Sequence, residues 1–185
     1  SDIHIYRDAF DQGCCRSLRG KVYVYCFFVD DGESSWTAAQ ARDFLEQHIN
    51  PALNFLSTQA VLWNIDLSFD VTSFCNETAD FSLTYNGTVN KDLMRGGSTK
   101  DILLQIAENM GYTSDTEFSK AQDKKHNGAD TIYLTLLNKK GRSYTRHIYT
   151  QDVVYYLDDD YPEHSIIFAQ DIDAFSPKAA PGERP

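Results

Sequence analysis

Apolar and polar residues follow two rhythms along this chain, and the places where the rhythm changes mark its elements. Val22-Tyr-Val-Tyr-Cys-Phe-Phe-Val29 is apolar on both sides of an extended backbone, which predicts a central strand over residues 21–29 packed on both faces. Asp30-Asp-Gly-Glu33 breaks it. Thr37-Ala-Ala-Gln40 fits a capping box, in which the Thr hydroxyl and the Gln amide satisfy free backbone donors at a helix start. Phe44, Leu45, Ile49, Leu53, Leu56 and Ala60 then recur at helical spacing. Pro51 lies inside that run and should kink or interrupt the helix, because it cannot donate to the ladder.

Residues 65–72 alternate strictly, as a strand with one buried and one wet face does. Phe81, Leu83 and Tyr85 carry the alternation on to the turn pair Asn86-Gly87, which predicts a hairpin there. Ile102, Leu103, Ile106 and Met110 give a helix over residues 101–110, with Gly111 placed to end it in a left-handed conformation. Ser114-Asp-Thr-Glu117 is a second capping box, opening a short polar helix towards Lys124. Residues 131–137 read as a strand closed by Asn138-Lys-Lys-Gly-Arg142. Residues 144–150 and 153–157 read as edge strands, and 165–168 as the last strand. The expected organisation is an irregular lead-in over 1–20, a single α/β domain over 21–171 and a Pro/Ala/Gly-rich tail over 172–185. Its fold class is a twisted, mixed but mostly parallel sheet with packed helices.

With 185 residues, 42% hydrophobic and 13% aromatic, the chain can build a substantial core. Its formal charge of -10 argues against nucleic acid, whose phosphates need a basic face, and permits a basic protein partner. No apolar run approaches the roughly 20 residues of a membrane span. The compartment is left open.

Cys14 and Cys15 are adjacent and cannot easily pair with each other; either could bridge to Cys75 in an exported protein. Cys26, inside an apolar strand, reads as a small core residue, and without a Cys-x-x-Cys a structural zinc site of the usual spacing is not expected. Asn76-Glu-Thr78 and Asn86-Gly-Thr88 fit the glycan acceptor pattern, which has meaning only in a secreted eukaryotic setting.

His4, His48, His126, His147 and His164 show no compact metal spacing. A pairing of His147 with His164 across neighbouring strands is the one geometry that could gather two imidazoles, and His48 reads as partly exposed helix packing. Two acid clusters could supply oxygen ligands to calcium: Asp158, Asp159, Asp160 and Glu163, and Asp30, Asp31 and Glu33. Neither follows the Asp-x-Asp-x-Asp-Gly loop pattern, so solvated turn acids are the simpler reading. The segment Gly141-Arg-Ser-Tyr-Thr-Arg-His-Ile-Tyr149 is basic and aromatic in an acidic chain. It fits either a charge-protected edge strand or a peptide-binding one, with Ser143, Tyr144, Arg146, His147 and Tyr149 as the residues concerned.

Several stretches together resemble the N-terminal subdomain of the zincin metallopeptidases, especially the reprolysin-like metzincins. They are residues 22–29 followed by Asp30-Asp-Gly-Glu-Ser-Ser-Trp36, then Asn50-Pro-Ala-Leu-Asn-Phe-Leu56, Asn138-Lys-Lys-Gly-Arg-Ser-Tyr144 and Ile166-Ile-Phe-Ala-Gln-Asp171. The likeness covers about residues 21–171 and is one of order and texture. It implies a twisted sheet, an antiparallel edge strand that binds substrate backbone as an added strand, and a last strand leading into the active-site helix.

The catalytic motif of that family, His-Glu-x-x-His, occurs nowhere in the chain, so no catalytic or metal residue carries over. The resemblance therefore implies a metallopeptidase-derived domain that is catalytically incomplete as it stands. Zinc would enter only with a downstream segment, and the partner would be a peptide or protein. If a missing half covers one sheet face, exposed apolar strands should make the chain associate. The other expectation is an acidic, non-enzymatic interaction protein of the immunity or inhibitor type that neutralises a basic partner.

Overall fold

The computed structural model of the chain describes residues 18–89, 98–141, 143–145, 148–150, 153–155 and 163–170. Strand β1 (Gly20–Val29) is an interior strand of a sheet with β2 (Leu67–Phe74), β3 (Thr131–Leu137), β4 (Tyr144–Thr145) and β7 (Glu163–Phe168), in the order β2-β1-β3-β7-β4. The first four of these are parallel to their neighbours, and only β4 runs antiparallel, against β7. The fold is α/β. Strands β5 (Ile148–Thr150) and β6 (Val153–Tyr155) pair with each other in a separate two-stranded ribbon. The expected tail over 172–185 and all but the last three residues of the lead-in lie outside the described residues.

Side chains of β1 point alternately to two helical layers. Val24, Cys26 and Phe28 face the first layer, formed by α1 (Ala38–Phe44), a π turn over Leu45–Ile49, and α2 (Asn50–Leu62). Trp36 and Phe44 pack edge-on in that layer, with Trp36 4.9 Å from Phe28 and 5.6 Å from Phe44 between ring centroids. Tyr25, Phe27 and Val29 face the second layer, α3 (Ser98–Asn109) and α4 (Asp115–Lys125), where Phe118, Tyr133, Ile166 and Phe168 are fully buried. Each such large side chain contributes about 1.5–3 kcal/mol over its exposed state. Both faces of β1 and β3 are thus covered by the chain itself, as the apolar run over residues 21–29 predicts for β1.

Local chemistry explains the helix ends. Thr37 Oγ1 accepts from Gln40 N at 3.2 Å while Thr37 N donates to Gln40 Oε1 at 3.0 Å, the expected capping box. Ser114 Oγ likewise accepts from Glu117 N at 3.0 Å, but the Glu117 carboxylate turns to Thr113, accepting from its N at 2.7 Å and its Oγ1 at 2.5 Å. Those two bonds hold the Glu117 carboxyl below the usual carboxylate range. Gly111 takes φ +91°, and Tyr112 N donates back to Ala107 O at 2.9 Å, closing α3 as expected.

Pro51 does not end the long helix. The preceding turn widens, with Asn50 N donating to Leu45 O, so the proline enters where its missing N–H and its ring are accommodated.

Among the described residues, 81–89 do not form the predicted hairpin. Residues 75–89 form a loop across the carboxyl ends of the strands, touching β1 through a single parallel bridge between Asp30 and Thr84. The alternation arises because Leu83 inserts fully into the core while Ser82 and Thr84 face water, a period of two without a ladder partner.

Candidate functional site

In an open parallel sheet, the crevice for ligands lies at the carboxyl ends of the strands, where successive connections leave on opposite faces. Here that point lies between β1 and β3: the connection after β1 runs through α1 and α2 in one layer, and the connection after β2 runs through α3 and α4 in the other. The residues that meet there are Asp30, Asp31 and Glu33 after β1, and Asn138 and Lys139 after β3.

They close the crevice on themselves. Lys139 Nζ donates to Asp31 Oδ2 at 2.5 Å, to Val89 O at 2.7 Å and to Glu33 Oε2 at 3.2 Å. Asn138 Nδ2 donates to Ser35 O at 2.9 Å, and Trp36 Nε1 donates to Leu136 O at 3.0 Å. The Asp31 side chain is 0% exposed, and it also accepts from Glu33 N, Ser34 N, Ser34 Oγ and Val89 N. Burial alone would raise its pKa. The Lys139 ammonium and the bonds from Val89, Glu33 and Ser34 outweigh that and leave the carboxyl below its ordinary range.

Asp30 is engaged in the same way. Its Oδ1 accepts from Trp36 N and its Oδ2 from Asn76 Nδ2, both at 2.7 Å, while Asn76 Oδ1 accepts from Leu83 N at 2.7 Å. Asn76 thus clamps the 75–89 loop with both polar atoms of its side-chain amide, and a glycan there would replace the N–H that Nδ2 shares with Thr84 Oγ1. Asn86, at the second acceptor pattern, is exposed.

The expectation that Asp30, Asp31 and Glu33 are solvated turn acids, or calcium ligands, is therefore corrected for the two aspartates. Their oxygens accept from protein donors, the Asp31 side chain is 0% exposed and Asp30 is half-buried, while the Glu33 side chain is 62% exposed. A buried lysine more than a hundred residues downstream decides this, and no local spacing signals it.

The other candidate is the sheet edge. β4 pairs Tyr144 with Ile166 and Thr145 with Ser165 of β7. Ser143 is exposed, and its Oγ accepts from Phe168 N at 3.1 Å, tying the entry of β4 to the end of β7. Gly141 makes the approach possible, since a Cβ there would collide with the Phe168 ring. Among the described residues no strand pairs with the outer side of β4.

The structure does not extend that edge to Tyr149, which pairs with Val154 in the separate ribbon. Arg146 and His147 lie outside the described residues, as do Asp158, Asp159 and Asp160, so that acid cluster is represented only by Glu163. Glu163 is half-buried at the start of β7, opposite Ile132, and its charge adds to the burial that raises the Asp130 pKa.

The described histidines are spread through the fold. His164 is fully buried with Nε2 2.8 Å from Thr135 Oγ1, His48 rests on Phe44 at 4.7 Å between centroids, and His126 stacks on Tyr23 at 3.5 Å. Among the described residues no three His, Cys, Asp or Glu side chains gather as a metal ion requires. Cys26 is fully buried, its thiol pushed up to about 12 by that burial, and Cys75 is a free buried thiol. No described helix is long and apolar enough to cross a membrane. No family model, curated protein or solved structure matches the chain.

Proposed function

We propose that this chain is a zincin-like, metallopeptidase-derived domain that takes an extended peptide along the outer side of β4 and lacks the residues for hydrolysis. The observation that carries this reading is the single antiparallel strand at the edge of an otherwise parallel sheet, next to the last strand. A peptide would pair there through main-chain hydrogen bonds, the usual way an exposed strand adds a partner. Ser143 holds the edge in place through the Phe168 amide, and Tyr144 is the strand residue nearest that anchor.

Because the sequence holds no His-Glu-x-x-His, peptide cleavage would depend on a helix supplied from outside these residues. The test is the native product, isolated from its source and measured for intact mass, zinc content and peptide hydrolysis with and without a chelator. A mass well above 21.0 kDa with chelator-sensitive hydrolysis is the expected result. A native mass of 21.0 kDa without zinc or hydrolysis would overturn the peptidase lineage and leave a binding protein for a basic partner.

A further inference from the structure

The sheet has two edges of unequal length. β4 offers two residues, whereas β2 runs alongside β1 without a break from the Gly20–Leu67 pair to the Phe27–Phe74 pair. Among the described residues no strand pairs with the outer side of β2. Edges of this length are usually blunted by proline, lysine or a bulge, and Leu67–Phe74 has none of these. Its one charge, Asp70, is already paired with Lys21 Nζ at 2.7 Å. The ladder also fixes which main-chain groups face outward. Gly20 N donates to Asp66 O, and along a parallel strand the direction of these groups alternates from residue to residue. Ser68, Asp70 and Thr72 therefore turn their N–H and C=O to β1, and Phe69, Val71 and Ser73 turn theirs away from it.

We infer that this edge is a self-association site, where β2 of a second copy of this chain adds antiparallel and joins the two sheets into one. The sequence of β2 selects that occupant, because it matches itself in one register. Phe69 and Val71 pack in the first layer and Phe74 in the second. A two-fold axis normal to the sheet keeps first layer beside first layer, so one residue lies opposite itself and its neighbours pair symmetrically about it. With Val71 on the axis, Val71 meets Val71, Phe69 meets Ser73, Phe74 meets Ser68, and Asp70 meets Thr72 of the second copy. Every ring then lies beside a small side chain, and every carboxylate beside a hydroxyl donor, around a β-branched pair.

The neighbouring registers fail. An axis at Asp70 sets two like charges directly opposite each other, and an axis at Thr72 sets Asp70 against Phe74 and shortens the overlap. The main chain suits the Val71 register. Phe69, Val71 and Ser73, whose N–H and C=O are turned outward, are the residues it brings opposite one another, for about six hydrogen bonds. This inference stands apart from the peptide-binding proposal, which concerns β4 at the other edge of the sheet.

The experiment is sedimentation velocity on the full 185-residue chain over a concentration series. The expected result is a reversible shift from 21.0 kDa to twice that mass. Thr72 is exposed, so its variants leave the core intact. Thr72→Asp sets a second carboxylate opposite Asp70 of the other copy and should raise the concentration of half-association about tenfold, with an unchanged far-UV spectrum. Thr72→Lys should lower it. Val71→Cys reports the register: two residues paired on the axis have Cα atoms about 5.5 Å apart, within reach of a disulfide, so a mild oxidant should link position 71 to position 71. Ser73→Cys, off the axis, should not link to itself. Peptide mass mapping separates these links from any made by the native cysteines. A 21.0 kDa species throughout would overturn the inference, as would association that ignores Thr72→Asp, grows without limit, or links position 73 in place of 71.

Discussion

The two ends of the sheet are held by different chemistry. At the carboxyl end, loops from three places converge on a buried ion pair, Asp31 with Lys139, and on the Asp30–Asn76 clamp. At the amino end, the hub is the Tyr25 hydroxyl, which donates to Gln122 Oε1 at 3.0 Å, lies 2.9 Å from His126 Nε2, and accepts from Lys125 Nζ at 3.3 Å. With the Tyr25 proton committed to Gln122, His126 donates through Nε2. The first end rests on charges removed from water, and the second on a neutral phenol between partly exposed groups. Rigidity of the carboxyl end is therefore tied to ionisation, and the crevice where an α/β protein would ordinarily place a ligand is filled by its own side chains.

Removing one partner at the carboxyl end should have the largest effect. Lys139→Met keeps the bulk of the side chain but leaves the Asp31 charge buried and the Val89 carbonyl without its donor. A broken buried pair of this kind costs about 3–5 kcal/mol, to be read from urea denaturation. A loss below about 1 kcal/mol would mean that Asp31 takes up a proton or water at little cost, and that the two ends differ less than their geometry indicates. Glu33→Gln, at the solvent side of the same lysine, should change stability by no more than about 1 kcal/mol.

The same contrast can be read by acid. Asp31 has a folded-state pKa below the ordinary carboxylate value of 3.8, so its contribution to stability is complete above that value and is lost as pH falls through the lower, folded one. Stability measured from pH 5 downward should therefore drop with a component that Asp31→Asn removes. If the two chains lose stability in parallel across that range, the depression of the Asp31 pKa is not what holds this end together.

What the sequence made legible is what short range decides. Residues 21–29 announce a strand covered on both faces, Thr37 and Gln40 announce a helix start, and Gly111 announces a helix stop, because propensity, capping and a positive φ act within a few positions. Asp31 was not legible as a buried ion, since Asp30-Asp-Gly-Glu33 looks like any acidic turn until Lys139 is brought over it. The loop over 75–89 imitates a strand because Asn76 and Asp30 fix it so that Leu83 points inward between polar neighbours. The sequence reads as one edge strand from 144 to 150, yet among the described residues of that stretch Tyr144 and Thr145 join the sheet and Tyr149 belongs to the β5–β6 ribbon. Helical spacing groups Leu56 with the core positions of its helix, yet it is 45% exposed, because few of the α2 side chains reach the sheet.

The smallest effect is expected at the amino end, where it also lies in a different pH range. His126 has its pKa lowered first by burial and then by Lys125, with Lys21 acting in the same sense and Asp70 opposing. A histidine depressed in the folded state contributes stability that is complete above its unfolded value of 6.5 and fades as pH falls through the folded one. A shallow decline should therefore begin below about pH 6.5, well before the carboxylate step. His126→Gln keeps a donor for the Tyr25 hydroxyl but cannot titrate, so subtracting its profile from that of the parent chain isolates this one proton from the other histidines. The difference should be flat above pH 7 and slope gently between pH 6.5 and 5. A flat difference throughout would show that the stack of His126 on Tyr23 holds the imidazolium as well as the imidazole. The amino end would then be insensitive to pH, and the contrast between the two ends sharper than proposed.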